Sequence, residues 1–127
     1  MRETCPCGTG RPYEACCGAI HDGRRVAATA VQLMRSRYAA FALGLSGYLL
    51  ETWHPSTRPA SVDLDPTMTW TGLVIEDTTK GSAWEDDGTV RFAASWESGR
   101  HAGVLRETSR FALLDGRWVY VNGTIHH

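Results

Sequence analysis

Thr89-Val90-Arg91-Phe92-Ala93-Ala94-Ser95-Trp96-Glu97 alternates along its length. Val90, Phe92, Ala94 and Trp96 fall on one side of an extended chain, and Arg91, Ala93 and Ser95 on the other. A period of two in β-branched and aromatic residues predicts a strand with one face on a core. The flanking sequence repeats the signal. Thr69–Glu76 reads as a strand before it, and Lys80-Gly81 and Asp87-Gly88 punctuate an acidic excursion between the two. Ser98-Gly99 and Asp115-Gly116 are hairpin signals, with Val104–Leu114 and Arg117–Asn122 as the strands they introduce. Consecutive strands joined by short turns predict an antiparallel meander.

Upstream the period changes. From Arg24 to about Leu43, the residues Val26, Ala30, Leu33, Met34, Arg37, Tyr38 and Phe41 recur at three- and four-residue steps, predicting one long helix with an apolar stripe. Gly44 stops it. A second short helix is expected with Ser46 as N-cap and Tyr48, Leu49, Leu50 and Trp53 as its apolar face. His54-Pro55 ends it, because the residue before proline is pushed out of the helical region. Ser56 to Pro66 is polar and proline-rich and reads as loop. Helices first and a meander after predict an α+β domain over residues 24–125, with the helices covering one face of the sheet.

All four cysteines of the chain lie ahead of that domain, in Cys5-Pro-Cys7-Gly-Thr-Gly-Arg-Pro-Tyr-Glu-Ala-Cys16-Cys17. Two close pairs separated by a short loop suit a metal knuckle over residues 1–20, with Gly18 to Gly23 as connector. Zinc takes four thiolate or imidazole ligands in a tetrahedron. Gly8 and Gly10 let the loop fold back so that amide N–H groups point at the sulfurs. Arg2, Arg11, Arg24 and Arg25 are near enough in sequence to offset the charge of four thiolates. The competing readings are another metal or cluster, a pair of disulfides, and a catalytic dithiol. Disulfides need an oxidising compartment, and the C-x-x-C spacing of a redox dithiol is absent. His21 is an alternative ligand. Cys5, Cys7, Cys16 and Cys17 together fill a tetrahedron, so the expectation is one structural zinc per chain with no open position for catalysis.

The bulk composition narrows the rest. A chain of 127 residues with 43% apolar and 21% charged residues is ordinary globular material. No stretch is long and apolar enough to insert in a membrane, and no signal-peptide core precedes Cys5, so a cytoplasmic setting is expected. A net charge of −1 argues against nucleic acid as partner.

C-x-C-G-T-G-x-x-Y-x-x-C-C resembles the SEC-C zinc motif, found at the tail of the SecA translocase and on many other bacterial proteins. In that motif the ligand positions correspond to Cys5, Cys7, Cys16 and Cys17. Leu33-Met34-Arg35-Ser36-Arg37-Tyr38-Ala39-Ala40-Phe41, Thr52-Trp53-His54-Pro55-Ser56-Thr57-Arg58, Ser109-Arg110-Phe111 and Gly116-Arg117-Trp118 resemble the YchJ-like family. That resemblance implies an NTF2-like cone, with helices packed in the hollow of a curved antiparallel sheet. It settles architecture better than activity. The chain lacks the second cysteine motif of longer family members and ends in Ile125-His126-His127, to which no role is assigned.

A cone of this kind often encloses a pocket, and polar residues inside apolar patterns are the candidates to line it. Arg35 and Arg37 lie in the long helix, at least one of them near its buried stripe, and Tyr38 sits on it. His54 ends the short helix and Arg58 follows four residues later. Glu107 shares strand parity with Ser109 and Phe111, whereas Arg110 faces the other way. Each has an ordinary structural role available: ion pairing for the arginines, capping for His54, core packing for the tryptophans. Two functions follow. One is a zinc-containing binding or adaptor module that meets a protein partner through the knuckle and a small molecule through the cone. The other is a small-molecule enzyme, of isomerase, dehydratase or hydrolase type, with His54 as its acid–base group and Glu107 and an arginine completing the site.

Overall fold

Three short connections lay four long strands side by side. The structure, a computed structural model, describes residues 3–126; Arg2 and His127 lie outside the described residues. The strands are β1 (Thr69–Lys80), β2 (Asp87–Ser98), β3 (His101–Leu114) and β4 (Arg117–His126), in sheet order β1-β2-β3-β4 and antiparallel throughout. Asp115 and Gly116 have φ of 51° and 80° between the paired residues Leu114 and Arg117. Two positive φ values in succession are the demand of a type I′ hairpin, which Asp-Gly meets. The β2–β3 turn is Gly99-Arg100, one residue later than the Ser98-Gly99 signal, because Ser98 still pairs with His101.

Strand β1 runs four residues past the expected end at Glu76. Asp77 to Lys80 are exposed and carry no alternation, so pattern alone does not reveal them. Their backbone nevertheless continues the ladder to Lys80↔Gly88, and Lys80 pairs with Asp87 at 2.8 Å. Register shifts between Trp70 and Gly72, between Ile75 and Asp77, and between Arg110 and Phe111 interrupt the ladders. Irregularities of this type bend a strand, as a hollow sheet requires.

The concave face holds Val90, Phe92 and Ala94, the side of β2 expected to be buried, together with Leu73 and Phe111. Against it lies α2 (Ala30–Leu43), which packs on β1, β2 and β4. This helix starts six residues later than the predicted Arg24. Thr29 is the N-cap and accepts from the Gln32 N–H at 3.1 Å, while the Gln32 side chain accepts from the Ala28 N–H at 2.9 Å. Thr-x-x-Gln is a capping-box arrangement, shifted here by one residue on the return bond. Asp22 meanwhile accepts from the Arg24 N–H, which commits that residue to a turn. Val26 is half exposed and outside the helix. Thr29→Ala is expected to lower stability by about 1 kcal/mol, read as a fall in the urea midpoint with an unchanged slope.

Strand β3 begins at His101 and β4 runs to His126, each longer than expected, and two boundaries in the helical half also differ. Residues 17–21, assigned from Gly18 onward to a connector, form the short helix α1 (Cys17–His21) after a 3₁₀ turn at Tyr13–Ala15. A Cβ on Gly18 would stand 2.7 Å from the Tyr13 carbonyl oxygen, so only glycine allows the two turns to nest. In α3 (Ser46–Glu51) the N-cap is Leu45, not Ser46, and no side chain caps it. Beyond α3 the chain adds to the sheet. The Tyr120 N–H donates to the Thr52 carbonyl and the His54 N–H to the Tyr120 carbonyl, both at 2.7 Å, so Trp53 forms a parallel bridge along β4.

The cysteine segment joins the same core. Cys5, Cys7, Cys16 and Cys17 belong to one buried cluster with Ala27, Leu33, Met34, Leu73 and Phe111.

Candidate metal centre and cone cavity

The knuckle is a ring closed by its backbone. The Cys5 N–H donates to the Arg11 carbonyl at 2.8 Å and the Tyr13 N–H to the Glu3 carbonyl at 2.9 Å. Gly8 and Gly10, with φ of 88° and 79°, turn the chain between them. The 3₁₀ turn then brings Cys16 and Cys17 back over Cys5 and Cys7. All four sulfurs lie within 4.8 Å of one another, and the four residues are 0–5% exposed. Zinc–sulfur bonds of about 2.3 Å in a tetrahedron place sulfurs about 3.8 Å apart. Cys7 Sγ and Cys16 Sγ stand at 3.6 Å, so the donor set fits that geometry and could hold a metal ion.

Electrostatics point the same way. Hydrogen bonding from Cys17, then from the Thr9 N–H, pulls the Cys7 thiol down to about 4 against the cost of burial. Burial pushes Cys5 up to about 11, and the bond to Cys7 together with burial pushes Cys17 far above the usual thiol range. The Cys7 thiolate forms readily, and beside it Cys5 and Cys17 resist ionising. Several buried anions in contact need a cation among them.

Around the sulfurs, Thr9 Oγ1 lies 3.2 Å from Cys16 Sγ and 3.6 Å from Cys7 Sγ. Arg35 donates to the Cys7 carbonyl at 2.7 Å and Arg25 to the Cys16 carbonyl at 3.5 Å. Arg11 donates to the Ala15 carbonyl, and Arg24 to Asp22 and to the Glu14 carbonyl. Arg35, expected near the pocket, thus clamps the knuckle to α2. His21 has both ring nitrogens engaged: Nε2 is 2.7 Å from the Ser36 carbonyl, which only accepts, so Nδ1 accepts from the Tyr13 hydroxyl at 2.6 Å. It is a second clamp.

The second site is a cavity of about 180 Å³ between α2 and the sheet. Its walls are largely apolar, with Met34, Phe41, Trp70, Phe92 and Leu105 among them, and its polar groups include Arg37, Glu107, Ser109, the hydroxyls of Tyr38 and Tyr120, and the buried, unpaired indole N–H of Trp53. Arg37 is only 3% exposed. Its Nη1 donates to the Leu49 carbonyl at 2.8 Å and to Thr52 Oγ1 at 2.6 Å, and its guanidinium carbon sits 4.5 Å from the Tyr120 ring centre and 5.2 Å from that of Trp53. Burial lowers its pKa to about 10, so it stays cationic at neutral pH. Glu107 lines the same cavity, and its Oε2 accepts from the Ser109 hydroxyl at 2.6 Å. That carboxylate lies where a Cβ on Gly123 would be, so a bare backbone on β4 makes its room.

Of the residues singled out in the sequence, Tyr38 and Glu107 line this cavity. His54 and Arg58 do not: His54 Nδ1 accepts from the Ser56 N–H and faces its hydroxyl, and Arg58 donates twice to the Trp53 carbonyl. The sequence analysis left Arg35 and Arg37 side by side as candidates, and of the two only Arg37 lines the cavity. The signal that separates them was present, since Arg37 falls four residues after Leu33 on the apolar stripe and Arg35 falls beside it.

Comparison with known proteins agrees with both halves. Residues 29–123 match the family described as YchJ, middle NTF2-like domain, and residues 1–19 match the SEC-C motif. A UPF0225 protein of Streptomyces coelicolor is 56% identical over 119 residues, covering 94% of this chain and 93% of its own. The solution structure of a SEC-C motif containing protein from Rhodopseudomonas palustris superposes with a TM-score of 0.85 at 32% identity, covering 98% of this chain and all of that one. A crystal structure of a SEC-C motif containing protein from Psychrobacter arcticus gives 0.79 at 25% identity, covering 98% and 84%.

Proposed function

Because the chain belongs to the YchJ family, with a SEC-C motif ahead of an NTF2-like domain, we propose that it is a zinc-stapled binding protein of the reducing cytosol. Cys5, Cys7, Cys16 and Cys17 hold one zinc per chain in a structural role, and the cone holds a small molecule. The observation that carries the metal reading is the closed set of four buried sulfurs within 4.8 Å. Zinc there supplies charge neutralisation and cross-linking, with no ligand position left for water. The outer turn from Gly8 to Arg11 is exposed and is the surface a protein partner would meet. The enzyme alternative has less support, since His54 is bonded within its own turn and is not among the residues lining the cavity.

Elemental analysis of protein purified without added metal tests the staple. The expected result is close to one zinc per chain, with displacement by a strong chelator accompanied by loss of dispersed amide signals from residues 3–23. A metal-free preparation with the same dispersed spectrum would sink it.

A further inference from the structure

The cone cavity presents two opposite charges that do not meet. Arg37 and Glu107 both line it, and no ion pair joins them among the described residues. Each has a face in use and a face to spare. Both hydrogen bonds of the Arg37 guanidinium leave from Nη1. No hydrogen bond from Nε or Nη2 is seen among the described residues, and Arg37 lines the cavity, so these donors are the ones left for an occupant. On Glu107, Oε2 takes the Ser109 hydroxyl and packs over Gly123, leaving Oε1 as the free acceptor.

Charge, size and shape then select an occupant. A ligand with net charge would satisfy one of the two groups and oppose the other within largely apolar walls. A hydrocarbon would leave both unmet. A neutral group with an acceptor beside a donor satisfies both. At about 180 Å³ the space is slightly larger than the roughly 150 Å³ in which a benzene ring is held in an engineered core cavity. The aromatic walls of Trp53, Trp70, Tyr38 and Phe92 favour a flat ring.

We propose that the cavity binds a single-ring cyclic amide, with its carbonyl on the Nε/Nη2 edge of Arg37 and its N–H on the Glu107 carboxylate. This names the ligand class for the small-molecule binding proposed above and rests on that reading. The probes are 2-pyridone, benzoate and toluene, each titrated into the ¹⁵N-labelled full chain as purified with its metal. 2-Pyridone is expected to shift the Trp53 and Trp70 indole N–H signals saturably and to bind at least about tenfold more tightly than either other probe, as two charge-assisted hydrogen bonds allow. Glu107→Gln is expected to weaken it by about tenfold. Leu105→Phe fills the cavity from β3 with both charges in place and is expected to abolish the shifts, which keeps the test valid if Glu107→Gln folds poorly.

Tighter binding of benzoate, or equal binding of toluene, overturns the ligand class while leaving a small-molecule site standing. Affinity for 2-pyridone that is unchanged in Glu107→Gln, or that survives Leu105→Phe, overturns the placement. No response to any of the three overturns the ligand class and the binding reading together.

Discussion

Replacing Cys7 with serine, or stripping the protein with a chelator, is expected to loosen far more than the first twenty residues. Cys7 has no exposed surface and shares a core with Leu33, Leu73 and Phe111. The Arg35 bond to its carbonyl and the His21 bond to the Ser36 carbonyl tie the knuckle to α2 from both sides. Losing the knuckle therefore uncovers one face of the helix that roofs the sheet. Zinc contributes on the order of 10–16 kcal/mol to the folding of isolated zinc-finger peptides, comparable with the roughly 5–15 kcal/mol by which a whole domain is stable. Cys7→Ser should cost about 3 kcal/mol or more, a fall of roughly 10 °C in melting temperature. Melting followed by far-ultraviolet circular dichroism, with and without chelator, reads this directly. A variant that melts together with the parent, with or without chelator, would show that the sulfurs are ordinary core atoms.

Arg37→Met is expected to be the most damaging change outside the cysteines. The guanidinium is buried, bonded to the Leu49 carbonyl and Thr52, and set in the corner that Trp53 and Tyr120 form. Hydrogen bonds from a charged donor contribute about 1.5–3 kcal/mol, and a desolvated cation over an aromatic face about 2 kcal/mol. Burial of the charge opposes both, and removing it leaves Glu107 facing an apolar wall without its counter-charge. The net loss should be about 3 kcal/mol. Arg37→Lys should lose about 2 kcal/mol, because a compact ammonium cannot reach both acceptors and both ring faces at once. Urea denaturation followed by tryptophan fluorescence checks both. Equal stability in Arg37→Met would mean that desolvation cancels every contact the guanidinium makes.

The strands were legible where one face is buried and the other wet. Val90, Phe92 and Ala94 announce β2, and Asp115-Gly116 announces its own turn. Legibility fails where structure depends on partners distant in sequence. Asp77 to Lys80 continue β1 because β2 lies beside them, not because of any pattern within them. Val26 fits the period of α2 and is left outside it because Asp22, Thr29 and Gln32 fix the chain locally. The cysteine positions were readable from spacing. Their packing against Leu33 and Leu73 was not, since nothing in the first twenty residues says what they rest on. The cavity was half readable: Glu107, Tyr38 and Arg37 followed from parity and stripe, whereas the right-angled meeting of Trp53 and Tyr120 beside Arg37 joins residues too far apart in sequence for any pattern to show.

The sheet order β1-β2-β3-β4 fixes how far the chain must reach to assemble itself. Every ladder joins chain neighbours, so the meander can grow hairpin by hairpin with little loop entropy lost at each step. The long reaches belong to the helical half. Trp118 Nε1 donates to the Ala28 carbonyl across 90 residues, and the Ala30 N–H donates to the Gly81 carbonyl. The entropic barrier to folding therefore sits in the docking of the N-terminal half on a hairpin array that local contacts already favour, and a knuckle that grips α2 before docking shortens the search by presenting both as one rigid lid.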